Sequence, residues 1–340
     1  MGENINKSLG TTLIDPEGSG QEVYNSGAVD RTQADVIVNG GDFGDLRTNN
    51  ALRDDQWERI DEIVLEEQQD TLQIIGDIND AGLDRDVDLG AMFASYERAS
   101  GVGDAHVSMS GEAADEKSRQ EFDKVQVPVP FIHQGFSMNA RAIRSSEEGS
   151  GDALPESAIR AATFEVSRKL EDLVINGSNR QLNGETIDGL TNHPDRNTVS
   201  GSDWSASNDN IFTDLNNGME KQEDAEYDAP WYLYVYPGGI SDLRTQSSNT
   251  DERVIDIVRQ FNELEAVRRT PLLDAGEAVL VKLSQRVVDL AVAADINAIE
   301  AESKFGRTVD LQVAGVMAPR VKSDKSGNSG VTHFTGIDGS

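Results

Sequence analysis

The side chains that could carry out catalysis or bind a metal are four histidines and a large number of carboxylates. The histidines are His106, His133, His193 and His333; they lie far apart, and no two stand at a spacing typical of metal ligands. Because the chain also has no cysteine, a zinc site is not predicted. The proline-rich context of His133 favours a surface or packing role. With 61 acidic residues, chance pairs of carboxylates are abundant, so no general acid and base can be picked out.

One segment, Glu171–Asn192, is dense in Asn and Gly and raises the question of a ligand-binding loop. Its sequence, EDLVINGSNRQLNGETIDGLTN, lacks the G-x-x-x-x-G-K-[ST] spacing of a phosphate loop, and it follows a predicted helix instead of a strand. The alternative is a helix cap at Asn176 and Gly177, followed by a turn in which Gly189 allows a close backbone approach. The spacing favours the cap and the turn.

Other enzyme motifs are also missing from the sequence. There is no G-x-S-x-G element of a hydrolase, and NGGDFGD, which begins at Asn39, has neither a lysine nor a helix after it. Asp84, Asp86 and Asp88 alternate as in a calcium-binding loop, but the required glycine at position six and glutamate at position twelve are lacking. No catalytic residue and no cofactor site are therefore predicted, and the question of bound metal ions stays open.

The composition of the chain is strongly acidic. Its 340 residues include 61 Asp and Glu against 30 Lys and Arg, so the net charge is −31, and only nine of the basic residues are lysines. Disorder is not predicted for most of the chain, because the 37% of apolar residues fall in periodic runs. A folded, acidic, lysine-poor chain resembles the proteins of halophilic archaea, since molar salt shortens the Debye length to about 3 Å and screens self-repulsion. Such acidity also argues against tight binding of nucleic acid through phosphate neutralisation.

Signals for export or membrane insertion are not predicted. The first twenty residues have no basic patch followed by an apolar run, so no signal peptide is expected. No run approaches 18 apolar residues, so no segment is expected to span a membrane. The lack of cysteine excludes disulfides and thiolate nucleophiles.

Periodic apolar residues predict two helices in the first 180 residues. The first carries Trp57, Ile60 and Val64 on one face. The second is Leu154–Asn176, whose apolar residues step three or four positions along one face. These residues are Ile159, Ala162, Val166, Leu170 and Leu173.

Strand patterns dominate the rest of the chain. VQVPVPF alternates at Val125, Val127, Val129 and Phe131, and its two prolines restrict it to a sheet edge or an exposed ribbon. The C-terminal half alternates predicted strands with one predicted helix, DERVIDIVRQFNEL; the strands are WYLYVY, AVLVKLS, VVDLAVAADINAIE and GRTVDLQVAGVMAPRV. This mixture predicts an α+β fold in which antiparallel pairing is favoured over a wound parallel sheet.

The order of these elements resembles that of the encapsulin shell proteins and of the major capsid proteins of tailed viruses of the Hong Kong ninety-seven type. Each matching motif is short, and their collinear order over most of residues 51–322 carries the resemblance. The motifs are a Trp-x-x-Ile-Asp helix at Trp57, a Glu-Asp pair at Glu171, Ile-Asp-Gly-Leu at Ile187, Ala-Asp-Ile at a turn at Ala294, and Ala-Pro near the end of the closing strand at Ala318.

The resemblance implies a layout of tailed-phage capsid type. Its parts are an N-terminal arm (1–50), an N-terminal helix region (51–82), an extended loop (83–132), a peripheral domain (133–230) with a spine helix (154–176), an axial domain (231–298), a return strand of the peripheral domain (299–322) and a polar C-terminal tail (323–340). The extended loop would be a two-stranded ribbon that reaches over the adjacent subunit. Because an isolated ribbon is marginally stable, it is expected to be ordered only by assembly.

The resemblance also implies a function. The chain is expected to be a major capsid protein of a haloarchaeal tailed virus, assembled in the host cytoplasm into pentamers and hexamers of an icosahedral shell. Its partners would be other copies of itself, packaged double-stranded DNA without sequence-specific contacts, and portal and minor capsid proteins. The alternatives are an encapsulin-like compartment that holds a cargo enzyme and, from another class, a halophilic enzyme with a carboxylate site.

Eight residues are expected at assembly contacts. Glu171 and Asp172 are expected to pair with nearby basic groups, and Arg268 and Arg269 with acidic ones. The full set is Trp57, Val127, Phe131, Glu171, Asp172, Arg253, Arg268 and Arg269.

Overall fold

A computed structural model describes residues 54–100, 109, 120–139, 156–247, 251–304 and 308–338. The predicted N-terminal arm (1–50), most of the central part of the extended loop and three residues of the predicted axial domain, 248–250, lie outside the described residues. Within the described ranges, most buried apolar side chains belong to one continuous core, which reaches from Trp57 to Ile337.

The helices include those predicted from apolar periodicity and others that were not predicted. In chain order they are α1 (Asp54–Thr71), α2 (Ile74–Asp80), α3 (Glu156–Asn176), α4 (Asn208–Asp224), α5 (Pro237–Leu243) and α6 (Val254–Arg259). Helices α1, α3 and α6 confirm three predictions. In α4, the buried Ile211, Leu215 and Met219 follow helical spacing, but the Asn and Asp residues between them hid that pattern.

The strands form two larger sheets and two small ribbons. In chain order they are β1 (Asp84–Asp86), β2 (Phe93–Ala99), β3 (Phe122–Pro128), β4 (Phe131–Asn139), β5 (Ser178–Leu182), β6 (Glu185–Ile187), β7 (Asn197–Ser200), β8 (Trp231–Val235), β9 (Leu264–Arg269), β10 (Ala278–Val281), β11 (Val288–Lys304), β12 (Thr308–Val321) and β13 (Val331–Thr335). Strands β2 and β3 make one ribbon, and β5 and β6 make the other.

The first sheet has the strand order β1-β11-β12-β4 and is built around the long antiparallel hairpin of β11 and β12. Helix α3 packs across β12 and β4, and α1 packs on α3. Side chains of β12 are buried on both faces, since Leu311 and Val313 belong to the main core and Ala314 and Val316 to a second cluster. The long helix α3 therefore covers one face of this sheet.

The Ala-Asp-Ile motif at Ala294 lies inside strand β11 and not at a turn. The pairing of β11 with β12 shifts register on both sides of Ala294, between Val292 and Ala294 and again before Asn297. A β-bulge therefore occupies the position where the resemblance implied a turn.

The second sheet has the strand order β7-β13-β10-β8-β9. Pairing is antiparallel on both sides of β10, whereas β7 runs parallel to β13 and β9 runs parallel to β8. All four residues of β10 are buried, which is typical of a strand covered on both faces. Helix α4 packs on β13 and β7.

The prediction of a polar tail over residues 323–340 is wrong. Strand β13 lies inside the second sheet, where Val331 and Phe334 are fully buried and His333 is buried between them. A Cβ placed on Gly218 of α4 would lie 2.2 Å from the Phe334 ring, so the helix approaches this strand through a glycine. The polar residues of SGVTHFTG led to the prediction of an exposed tail. In the fold, Ser329, Thr332 and His333 are buried with the apolar residues of this strand.

The predicted domain boundaries also change. The second sheet takes strands from residues 197–200 and 331–335, outside the predicted axial domain of 231–298, whereas β11, which begins inside that range and ends beyond it at Lys304, belongs to the first sheet. Leu83, the first residue of the predicted extended loop, is buried, and β1 pairs with β11. The sheets therefore assemble from segments distant in sequence, and no contiguous cut of the chain separates them.

Candidate functional site

A carboxylate of helix α3 caps the beginning of helix α2. The Oε1 atom of buried Glu171 accepts hydrogen bonds from the backbone N–H groups of Gln73, Ile74 at 2.8 Å and Ile75 at 3.3 Å. The first N–H groups of a helix have no partner within the helix. Gln73, at the N-cap position, makes no capping bond with its own side chain, so Glu171 supplies from another helix what a capping residue usually supplies locally.

Glu171 has no basic partner among the described residues. Burial raises its pKa to about 7, the three backbone N–H groups act in the opposite direction, and the nearby carboxylate of Asp77 adds to the rise. The prediction that Glu171 pairs with a basic group is therefore wrong. A helix of seven residues is too short to be stable alone, so this contact fixes α2 against α3.

A second carboxylate, Asp77, fastens the other side of α2 to the second sheet. Arg268 donates to Asp77 through Nε at 2.8 Å and through Nη2 at 2.6 Å, and the hydroxyl of Tyr234 donates to the same carboxylate at 2.8 Å. Tyr234 on β8 and Arg268 on β9 are direct register partners, so their side chains lie on one face of the sheet. Two parallel N–H bonds from one guanidinium make a strong, oriented contact.

The protonation of Tyr234 suits its role as a donor. Burial, together with the carboxylate of Asp77, raises the pKa of Tyr234 well above its ordinary value. The hydroxyl therefore keeps its proton and donates a hydrogen bond to Asp77. The expectation that Arg268 pairs with an acid is confirmed by this cluster, whereas Arg269 beside it is exposed and forms no ion pair within the described residues.

Helix α2 thus joins helix α3, which packs on the first sheet, to strands β8 and β9 of the second sheet. The structure brings two of the predicted residues, Glu171 and Arg268, to this one short helix. Asp77 and Tyr234, which complete the cluster, were not predicted. Tyr234 lies in the strand WYLYVY, whose apolar run indicated burial, but Asp77 is one of 61 acidic residues, and the sequence carries no signal that singles it out.

The other predicted assembly residues are scattered. Trp57 and Val127 are buried in the core of the chain, where their side chains are not available to another copy. Asp172 accepts a hydrogen bond from Lys169 at 2.7 Å, which confirms its expected basic partner. Phe131, with 48% of its surface exposed, and Arg253, at the start of α6, lie on the surface.

The glycine-rich segment after α3 is a cap and a close backbone crossing. Gly177 has a φ of 65°, and a Cβ placed there would lie 2.3 Å from the carbonyl oxygen of Ile187. A Cβ on Gly189 would lie 2.3 Å from the backbone nitrogen of Gly177. The two glycines let the returning chain pass against the end of α3, where Leu190 donates to the Val174 carbonyl. The capping prediction is confirmed.

The β2–β3 ribbon is held by its own chain at its base. The hydroxyl of Tyr96 donates to the carbonyl of Val321 at 3.2 Å, and Arg320 donates to the carbonyl of Ser95 at 3.0 Å. Burial raises the pKa of Tyr96 to about 12, so it remains a donor. The two described strands of the ribbon are therefore bound to the body of their own chain, and the ordering of the ribbon by assembly stays a prediction. The predicted loop between them lies largely outside the described residues.

Neither a metal site nor a membrane span appears in the described part of the chain. Its His, Asp and Glu residues include no group of three placed to hold a metal ion, and none of its helices is long and apolar enough to cross a membrane.

Residues 47–334 match the family described as a family of unknown function, DUF6260. The chain belongs to this family. The match spans the described elements from α1 to β13. Among curated proteins, no match was found.

Solved structures share the fold of this family member. A virus-like particle from Pyrococcus furiosus matches with a TM-score of 0.58 and 14% identity, covering 82% of this chain and 98% of its own. The capsid of Myoviridae phage XM1 matches with a TM-score of 0.54 and 15% identity, covering 72% and 86%. A protein of Mycobacterium phage Bobi matches with a TM-score of 0.54 and 16% identity, covering 75% and 89%. The predicted α+β fold of the capsid and encapsulin type is therefore confirmed.

Proposed function

We propose that this chain is the major capsid protein of a tailed virus and that copies of it assemble into pentamers and hexamers of an icosahedral shell. The carrying observation is the fold: the likeness to a virus-like particle covers 82% of this chain and 98% of the other, and the likeness to a phage capsid covers 72% and 86%. A fold shared over nearly the whole partner chain supports a shell protein with no enzymatic activity. The protein would then be a component of the virion, assembled in the host cytoplasm.

The surface of the single chain supports assembly. Large apolar side chains are exposed on several elements, including Met92 at 62%, Phe122 at 59% and Phe131 at 48%. Met92 and Phe131 lie beside the end of the ribbon where Phe93 pairs with Pro128, and Phe122 lies at its other end, where it pairs with Ala99. Exposed apolar groups along one ribbon are typical of surfaces that another protein covers. A neighbouring copy that packs on this region would bury them.

The acidic charge of the chain supports a shell that encloses DNA without specific contacts and that assembles in concentrated salt. With a net charge of −31, each copy repels double-stranded DNA more than it binds it, so the DNA would be enclosed without sequence-specific contacts. A shell of such copies is expected to need concentrated salt, because screening within about 3 Å at molar ionic strength reduces the repulsion between subunits. The host would accordingly be a haloarchaeon. Portal and minor capsid proteins would be its further partners.

Assembly of the purified chain tests the proposal. The full chain is expressed and examined by analytical ultracentrifugation and electron microscopy across a series from low to molar KCl. Pentamers, hexamers and closed shells are expected, with the assembled fraction increasing with salt. Monomers alone at every salt concentration would contradict the proposed function.

The content of native particles separates a virion shell from an encapsulin-like compartment. Particles purified from the source cells are treated with nuclease and then opened. Protected double-stranded DNA of uniform length is expected for a virion. A single co-purified enzyme without protected DNA would instead identify a cargo compartment.

A further inference from the structure

A groove lined by arginines lies between the layer of α1 and α2 and the layer of α5, α6 and β9. It has a volume of about 750 Å³. The arginines come from three different elements of the second layer and are exposed at its surface. They are Arg244, Arg259, Arg268 and Arg269. Such a concentration of positive charge stands out in a chain with a net charge of −31.

The carboxylates of the described residues do not neutralise the groove. Two acidic residues, Asp77 and Asp80, line it, and Asp77 is already bound by Arg268. Within the described residues, Arg244, Arg259 and Arg269 form no ion pair. Arginines that line one groove attract an anion, and a carboxylate can bind a guanidinium through two parallel hydrogen bonds.

The remainder of the lining indicates which kind of anion fits. Apolar side chains also line the groove; they are Leu65, Leu72, Ile240, Ile255 and Val267. Leu65 has 57% of its surface exposed to solvent. A mixture of arginine and apolar groups is typical of protein–protein interfaces, whereas contacts to a nucleic-acid backbone come from basic and polar groups. The lining therefore favours a protein segment over a phosphate chain.

We propose that this groove receives a carboxylate-bearing segment of a neighbouring copy of the same chain. The inference rests on the proposed function, since it assigns one of the contacts between subunits. Charge complementarity favours a second copy as the occupant, since each copy carries 61 acidic residues and has, in its described part, a groove whose Arg244, Arg259 and Arg269 form no ion pair. The contact would join copies through arginine–carboxylate hydrogen bonds. It would lie beside the contact of Asp77 with Tyr234 and Arg268, which joins α2 to the second sheet within one copy.

Zero-length cross-linking tests the contact directly. Arg244→Lys and Arg259→Lys each place a reactive amine in the groove, and a carbodiimide joins an amine to a carboxylate only when the two touch. Assemblies are made from equal amounts of ¹⁵N-labelled and unlabelled copies, so that mass spectrometry separates links between copies from links within one. Links between the groove lysine and an acidic peptide of the other copy are expected. The matched control is Arg180→Lys on the exposed β5–β6 hairpin, outside the groove, which is expected to give at least tenfold fewer.

The outcomes that overturn the inference are distinct. Cross-links from the groove lysines that are no more frequent than from Arg180→Lys, or that reach only carboxylates of the same copy such as Asp80, would overturn it while leaving the shell function intact. If the wild-type chain forms no oligomer, the proposed function and this contact fail together.

Charge reversal gives a second measurement. The double variant Arg244→Glu, Arg259→Glu is expected to keep the unfolding midpoint of the wild-type monomer, because neither arginine forms an ion pair within the described chain. Its yield of closed shells is expected to fall at least tenfold, whereas Arg180→Glu keeps the wild-type yield. Normal shells from the double variant would overturn the inference. Normal shells that retain less DNA would also overturn it and would assign the groove to nucleic acid.

Discussion

Two buried carboxylates, Asp289 and Glu171, are stabilised in opposite ways. Asp289 on β11 accepts two hydrogen bonds from Arg320 on β12, at 2.6 and 2.7 Å, and is also bound by Lys322. Glu171 on α3 is also buried, and among the described residues its donors are the backbone N–H groups at the start of α2, from Gln73 to Ile75. The first carboxylate has two full positive charges beside it, and the second has only the partial charges of a helix end.

The difference shows what each carboxylate does in the fold. Asp289 and Arg320 lie on neighbouring strands, and Lys322 directly follows β12. The three residues hold the base of the ribbon, since Arg320 also binds Ser95 and Lys322 lies 5.6 Å from the ring of Tyr96. Glu171 positions a helix that cannot form alone, and it does so without a counter-charge. The first arrangement should respond strongly to the loss of charge, and the second should respond to pH.

Asp289→Asn is expected to have the largest effect. The amide leaves two buried cations without a charged partner, and removal of one member of a buried ion pair destabilises proteins by about 3–5 kcal/mol. The free energy of unfolding, measured with urea at fixed KCl, should fall by that amount. The control is Asp84→Asn, an exposed residue of the same sheet, which should change it by less than about 0.5 kcal/mol. A decrease below 1 kcal/mol in Asp289→Asn would mean that water replaces the carboxylate.

Glu171→Gln is expected to remove a dependence of stability on pH. The pKa of Glu171 is raised from 4.5 to about 7 by burial, so between these values the folded chain retains a proton that the unfolded chain has lost. Stability from this group is thus complete below pH 4.5 and decreases as the pH rises through 7, by about 3 kcal/mol in all. The glutamine variant, which cannot ionise, should match the wild type near pH 4.5 and exceed it near pH 8.

The matched control for that pH series is Glu165→Gln on the exposed face of the same helix. It should keep the wild-type slope of unfolding free energy against pH. Equal slopes in the wild type and in Glu171→Gln would show that the three backbone donors hold the carboxylate ionised in the folded chain. Glu171 would then be ionised in the folded chain like Asp289, and the two carboxylates would not differ in their response to pH.

Part of this architecture could be predicted from the sequence because it depends on local pattern. The apolar steps from Ile159 to Leu173 determine which face of α3 packs on the first sheet, and Asn176 with Gly177 marks where that helix ends. The collinear order of motifs was enough to predict the fold class. In each case the physical cause lies within a few residues of the signal.

The rest could not be predicted because its cause lies far away in the chain. Helix α2 depends on Glu171, which is about 97 residues distant, and on Arg268, which is 191 residues distant. Strand β13 is buried because β7, β10 and α4 surround it, although its own sequence is short and half polar. Buried charge pairs are equally hidden, since each member resembles the many solvated Asp, Glu and Arg residues of this chain.

Asp77→Asn is expected to have an intermediate effect. The amide keeps the shape of the side chain and can still accept from Tyr234, but it loses the charged bond to Arg268. Because the side chain of Arg268 is 47% exposed, water can solvate the freed guanidinium, so the loss should be about 2 kcal/mol and smaller than for Asp289→Asn. Urea unfolding checks it, with the exposed Asp80→Asn on the same helix as control. A loss as large as that of Asp289→Asn would mean that the guanidinium stays desolvated.

Tyr234→Phe is expected to have the smallest effect, and it tests whether the cluster on α2 acts as a unit. The substitution removes one hydroxyl from the second sheet, while Asp77 keeps both bonds from Arg268. Loss of a hydrogen bond to a charged group that retains other donors should lower the unfolding free energy by about 1 kcal/mol. Tyr232→Phe, a partly buried tyrosine on the same strand, should cost less than about 0.5 kcal/mol.

The double variant Asp77→Asn, Tyr234→Phe decides how the two contacts are coupled. If Tyr234 stabilises the fold through the charge of Asp77, the two losses should overlap. The double variant should then lose less unfolding free energy than the two single variants lose together, by about 0.5 kcal/mol or more. Additive losses would mean that the hydroxyl binds the amide as well as it binds the carboxylate. Tyr234 would then contribute packing and one hydrogen bond that does not depend on charge, and Arg268 alone would supply the charged attachment of α2 to the second sheet, in contrast to the two cations that share Asp289.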